Sequence, residues 1–245
     1  TRVRATGDAD TTIAFAWKDA RGDGHFRLLR LADRLLSVDD VEAAGIDRVV
    51  ALVVGSVALA ADPSRSAVMR AVEIAGTADV PVCFDVNLRP TIWPDINAAR
   101  EACEPILRRA TLLKLSLDDA RFLFDVADAN AALDRLASYG AKFVVVTDGA
   151  RGAWFAQKGQ PAAPADRFVP AFSVAAIDPT GAGDAFTAAI VSRLVSRDWR
   201  TLEREDVVFA AAAGALTTTR RGAMDALPTT ADVNAFLAAQ PTLGG

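Results

Sequence analysis

From Arg48 onward, short apolar runs alternate with longer amphipathic stretches, and this pattern restricts the fold more than any other feature of the chain. Residues 49–54, 82–86, 112–115 and 143–147 are apolar runs of strand length, and 64–76, 97–110, 117–124 and 130–139 carry apolar residues at helical spacing. Strands that alternate with helices in this way build βαβ units around a parallel sheet, and runs that are apolar throughout mark strands covered on both faces. After Asp148, β-rich segments at 153–157 and 168–174 flank a Pro/Gly/Ala loop, and helices return at 182–195, 205–218 and 229–239, the last starting at the capping residue Thr229. Ahead of the alternation, residues 11–17 and 26–29 are β-rich and flank Lys-Asp-Ala-Arg-Gly-Asp-Gly, which predicts an antiparallel hairpin.

The 245 residues suffice for one α/β domain with a small appendage. A net charge of −4 supplies no basic field, so neither nucleic acid nor an anionic membrane surface is an expected partner, and a phosphate ligand must be held by local geometry. No apolar run approaches the roughly 20 residues that cross a bilayer. Cys83 and Cys103 form no CxxC pair and fit a reducing, cytoplasmic setting. The single histidine, His25, lies in Arg-Gly-Asp-Gly-His and is expected on a loop surface, which removes His-based triads and multi-His metal sites.

The segment that carries chemistry is Asp-Pro-Thr-Gly-Ala-Gly-Asp at 178–184, placed between a β-rich run and an apolar helix. Gly181 and Gly183 allow a tight turn, so successive N–H groups and the positive end of the helix point at one spot where negative charge can be held. Asp184 at its edge can accept the proton of an attacking hydroxyl, the division of labour that phosphoryl transfer requires. Gly and Asp also open ordinary helices, but the longer string with Asp178 and Thr180 is a rarer combination. No Gly-Lys-Ser/Thr follows, so it is not a Walker A loop, and no GxGxxG with a downstream acid supports a dinucleotide-binding oxidoreductase.

Extended to Ala185-Phe186, the segment resembles the C-terminal signature of the PfkB, or ribokinase-like, family of sugar kinases. The likeness covers about residues 12–228 and includes Gly55-Ser56-Val57-Ala58-Leu59-Ala60, Pro63-Ser64-Arg65-Ser66, Phe84-Asp85-Val86-Asn87-Leu88-Arg89-Pro90 with Trp93, and Leu113-Lys114-Leu115-Ser116, all similar to bacterial fructokinases. It implies a ribokinase-like three-layer αβα fold with a mostly parallel sheet and a small β lid, residues 1–37 forming part of the lid and 38–245 the kinase domain. It also implies ATP and Mg²⁺ as cofactors, a monovalent cation such as K⁺, a small sugar as substrate, and lid strands that pair across a homodimer.

Carried over by position, Gly181, Ala182 and Gly183 supply the anion hole and Asp184 the base. Asp178, Thr180 and Gly222 border a monovalent-cation loop. Lys114, Ser116, Thr147, Gly149 and Gly152 lie at the nucleotide, Gly214 gives the adenine a smooth wall, and Asp119 organises Mg²⁺ through water. Arg30 from the lid, with Asp85, Asn87 and Arg89 aimed the same way by strand alternation, faces the sugar. Plain structural readings stand beside these: Ser116-Leu-Asp-Asp as a helix cap, 147–152 as a strand-ending turn, Asp85 to Arg89 as a loop salt bridge, Arg30 as an ordinary strand-end arginine, and Gly214 as helix packing.

Fructose is the first expected substrate. The alternatives are 2-keto-3-deoxygluconate, whose carboxylate needs Arg30 or Arg89, and a non-catalytic sugar- or nucleotide-binding member of the fold. Relatives open with a strand, a Gly-Gly segment and a sugar-binding Asp that do not precede Thr1, so a further N-terminal segment is expected.

Overall fold

The computed structural model describes residues 3–18, 24–160, 163 and 165–240. Strands β1 (Ile13–Lys18) and β2 (Gly24–Leu29) form the expected antiparallel pair as a separate two-stranded sheet, running in register from Ile13↔Leu29 to Lys18↔Gly24. The connection at 19–23 lies outside the described residues. His25 belongs to β2, opposite Trp17, and not to a loop, because the strand begins two residues earlier than its β-rich run.

A short helix, α1 (Val38–Glu42), follows. Ser37 and Asp40 cap it reciprocally, with the Ser37 N–H donating to Asp40 Oδ2 at 2.9 Å. The main sheet contains β3 (Leu52–Gly55), β4 (Val82–Asp85), β5 (Leu112–Ser116), β6 (Phe143–Thr147), β7 (Gly152–Gln157) and β8 (Phe168–Pro170), in that spatial order. The first four run parallel, and the last two are antiparallel additions. Expected strand 49–54 starts only at Leu52, with Val50 69% exposed ahead of it. Expected strand 168–174 stops at Pro170, which has no N–H to continue a ladder.

Helices α2 (Ser64–Thr77), α3 (Ile96–Leu107), α4 (Leu117–Phe124) and α5 (Ala129–Ala137) lie in the crossovers between β3 and β6. Crossovers that advance one strand at a time in one direction, all right-handed, place their helices on one face. Phe84, Leu113, Leu115, Val144 and Val146 accordingly share a core with those helices. The alternate residues Cys83, Leu112, Phe143 and Val145 face α6 (Ala182–Ser196), α7 (Arg204–Thr218) and α8 (Thr230–Ala239) on the other side. Burying a Leu, Val or Phe contributes about 1.5–3 kcal/mol, so this two-sided cover is what selects continuous apolar strands. The described residues thus form the expected three layers.

Two close approaches fix the far side. Gly152 has φ +131°, and a Cβ there would lie 2.2 Å from the Val169 carbonyl oxygen, so only glycine lets β8 reach β7. On α7, a Cβ at Gly214 would lie 3.2 Å from the Ala182 carbonyl oxygen, and the alanines around it bring α6 and α7 together. The fully buried Asp206 then ties the pair, accepting from Arg193 Nε at 2.7 Å and contacting Arg197 Nε at 2.9 Å. Among the described residues no helix is long and apolar enough to cross a membrane.

Candidate active site

The parallel strands β3 to β6 end at Gly55, Asp85, Ser116 and Thr147, and ligands of open α/β sheets bind outside such carboxyl ends. The start of α6 lies over β4 and β5 at this edge. Gly181 caps it with φ +82°, a conformation that glycine adopts freely, and a Cβ there would stand 3.0 Å from the Ala223 carbonyl oxygen. No side chain caps the helix, so the N–H groups of Gly183 and Asp184 have no intrahelical acceptor and point outward with the positive end of the dipole. Gly183 and Asp184 are both exposed. Gly181, Ala182, Gly183 and Asp184 therefore stand together at the head of α6.

Beneath this turn the structure brings Lys114 and Asp85 together. They are partners in the β4–β5 ladder and project to the α6 face, where the Lys114 ammonium lies 3.0 Å from each Asp85 carboxylate oxygen. Lys114 is 6% and Asp85 7% exposed. Thr187 of α6 donates its hydroxyl to Asp85 Oδ2 at 2.6 Å. The sequence reading missed Thr187. Its one signal was a hydroxyl inside the apolar stretch Ala185-Phe186-Thr187-Ala188-Ala189.

Alternation does not carry Asp85, Asn87 and Arg89 to one side, because β4 ends at Asp85 and Asn87 takes the left-handed φ of +41°. Arg89 turns back on its own loop, donating to Asn87 Oδ1 at 2.7 Å and to the Leu88 carbonyl at 2.9 Å. Ser116 caps α4, its hydroxyl accepting from the Asp119 N–H at 3.0 Å, while Asp119 accepts from the N–H groups of Ser116 at 3.3 Å and Leu88 at 3.2 Å. Burial pushes the Asp119 carboxyl up. The donors from Ser116 and the Lys114 charge pull it partly back, and the Asp85 charge adds to the rise.

Asp178, Thr180 and Gly222 are brought together. Asp178 Oδ1 accepts from the Thr180 N–H at 3.0 Å and Oδ2 from the Gly222 N–H at 3.1 Å, while the N–H groups of Ile177 and Asp178 both reach the Thr218 carbonyl. Thr147, Gly149 and Gly152 form a tight turn after β6, closed by the Asp148 N–H on the Gly152 carbonyl at 2.8 Å. Arg151 pairs with Asp148, with Nη2 at 2.7 Å from Oδ1. Gly214 lies at the α6–α7 contact and is partly exposed. Arg30 is nearly buried at the base of the hairpin and donates from Nε to Asp33 Oδ2 at 2.7 Å. Burial raises the Asp33 carboxyl, but hydrogen bonds from Thr12, Arg30 and the Leu31 N–H outweigh it and leave the group below its usual range. Among the described residues no three His, Cys, Asp or Glu side chains converge as a metal cluster.

This geometry has close counterparts. The chain is 35% identical over 233 residues to fructokinase-1 of Zea mays, covering 92% of this chain and 70% of that protein. Its fold superposes on the fructokinase of Xylella fastidiosa, solved with bound ATP, with a TM-score of 0.79 at 26% identity over 95% of this chain and 75% of that one. On the fructokinase of Vibrio cholerae O395, solved with fructose, ADP and calcium ion, the TM-score is 0.75 at 30% identity over 91% and 73%. The model of the pfkB family carbohydrate kinases matches residues 1–230. With this match over most of its length and its three-layer sheet, this chain belongs to the pfkB family of carbohydrate kinases.

Proposed function

We propose that this chain transfers the γ-phosphate of ATP to a primary hydroxyl of a free sugar, with fructose the preferred acceptor and Asp184 the base. The observation that carries this reading is the exposed Asp184 carboxylate in the first turn of α6, beside uncapped N–H groups at the carboxyl edge of the parallel strands. A sugar hydroxyl held there gives its proton to Asp184, while the Gly181-Ala182-Gly183 backbone and the helix dipole hold the transferring phosphoryl oxygens. Mg²⁺ on the ATP phosphates neutralises charge on the transferring group. Asp119 caps α4 with one N–H donor on each oxygen, and its remaining lone pairs are where water on Mg²⁺ would be held.

Ser116 and Thr147 pair at the ends of β5 and β6, and the turn that follows them is where the nucleotide phosphates would lie. Asp178 clasps the 178–180 and 218–222 loops together, and a K⁺ ion there would draw on their carbonyl oxygens. The hairpin carries Ile13, Phe15 and Leu29 exposed on one face, and a second copy of the chain is its proposed cover.

A neutral ketose fits better than a sugar acid. Arg30 is already bound to Asp33 and Arg89 to Asn87, so a carboxylate would have to displace one of these contacts. ADP release measured with fructose, 2-keto-3-deoxygluconate, ribose and adenosine tests the reading. Fructose should give the highest kcat/KM. Preference for the sugar acid would select that substrate, and ATP binding without release for any sugar would select the non-catalytic reading.

A further inference from the structure

The cluster under the anion hole has more polar structure than a core position needs. Asp85, Lys114 and Thr187 are 7%, 6% and 6% exposed. Lys114 spends two of its three N–H groups on Asp85, and its Nζ lies 3.5 Å from where a Cβ of Gly183 would stand, so the ammonium abuts the underside of the hole. Thr187 Oγ1 is 2.6 Å from Asp85 Oδ2 and 3.0 Å from the Gly183 carbonyl oxygen. A hydroxyl has one proton, and the shorter, charge-assisted contact to the carboxylate takes it. One carboxylate thus joins two strand ends to the second turn of α6.

Stability alone does not call for this arrangement, since well-packed apolar groups can replace a buried ion pair at little or no loss. Its location offers another reason. Thr187 lies three residues after Asp184 and four after Gly183, one helical turn, so whatever holds Thr187 also sets the height and rotation of both above the strand ends.

We propose that Asp85, Lys114 and Thr187 form a buried latch that fixes the first turn of α6, and with it Asp184 and the anion hole, at working distance from substrates bound on the strand ends. All three are positioning residues that touch no substrate. The proposal rests on the reading of Asp184 as base, and it reassigns Asp85 and Lys114 from ligand contact to support. Misplacement of reacting groups by about 1 Å can lower a rate on the order of 100-fold, so a latch of this kind acts on kcat and not on ground-state binding.

Thr187 offers the cleanest test, because Thr187→Val keeps shape and volume while removing the hydroxyl, and Thr187→Ser keeps the hydroxyl. Steady-state kinetics are measured on wild type and both variants, after circular dichroism and binding of a non-hydrolysable ATP analogue establish that each is folded. The latch predicts that kcat of Thr187→Val falls by roughly 10- to 100-fold with both KM values held within about threefold, and that Thr187→Ser restores kcat to within about threefold of wild type. An unchanged kcat in Thr187→Val, a loss confined to KM, or failure of Thr187→Ser to restore turnover overturns the latch while leaving the kinase intact. Absence of sugar-dependent turnover in the wild type overturns the kinase reading and the latch with it.

Discussion

The Lys114 ammonium touches both carboxylate oxygens of Asp85 at 3.0 Å, across neighbouring strands and inside the core. Removing one partner leaves the other charge buried and uncompensated, which costs about 3–5 kcal/mol. Lys114→Met should lower the unfolding free energy in urea by that amount, and the double replacement Lys114→Met with Asp85→Leu should recover most of it. A double variant whose loss equals the sum of the losses in Lys114→Met and Asp85→Leu measured singly would show that the two side chains do not depend on each other.

Gly152 and Gly149 separate a crowded position from an open one. Both have positive φ, +131° and +49°, but a Cβ at Gly152 meets the Val169 carbonyl oxygen at 2.2 Å while a Cβ at Gly149 meets nothing within 4 Å. Gly149→Ala should cost about 1–2 kcal/mol for the left-handed backbone. Gly152→Ala should cost about 3 kcal/mol or more, because β8 must move away from β7. Thermal denaturation of the two variants checks the order.

The two cysteines should be inert in the native protein. Burial pushes both thiols up to about 12, with the neighbouring Asp119 charge adding to the effect on Cys103. Thiolate is the reactive form, so at pH 8 an aromatic disulfide reagent should titrate neither thiol in the folded chain and both after addition of denaturant. Rapid labelling of Cys103 in native protein would show that α3 opens readily.

The lid face predicts an oligomer. Phe15 is 52% exposed beside Ile13 and Leu29, and charge placed there would disfavour its burial against a second copy. Phe15→Lys should shift the sedimentation coefficient from dimer to monomer while circular dichroism stays that of the folded chain. A wild-type chain that sediments as a monomer at micromolar concentration would remove the proposed pairing.

Where burial on both faces of a strand decides the pattern, the sequence is readable. Residues 143–147 and the helix at 117–124 appear with their expected bounds, and 112–115 lengthens by one residue at Ser116, because apolar periodicity reports that burial directly. Apolarity misleads at Val49 and Val50, which stand exposed after a 3-10 turn, since hydrophobicity alone does not say which residues pair. The short α1 carries its capping signal in Ser37 and Asp40 but has too few residues for a helical period. At the site, Gly181 to Asp184 is legible because the backbone geometry is written in local residue types. The partnership of Lys114, Asp85 and Thr187 is not, because it depends on the register of β4 against β5 and on the seating of a helix about 100 residues later in the chain. Asn87 shows the same limit on a smaller scale, where one positive φ overrides strand alternation.

Whether Asp184 takes the proton of the sugar hydroxyl is read from kcat for fructose-dependent ADP release in wild type and in Asp184→Asn, with binding of an ATP analogue measured on both. Analogue affinity should stay within about threefold of wild type and kcat should fall by roughly 100-fold or more, the loss expected when a positioned base is removed. Turnover retained in Asp184→Asn within about threefold would contradict Asp184 as the base.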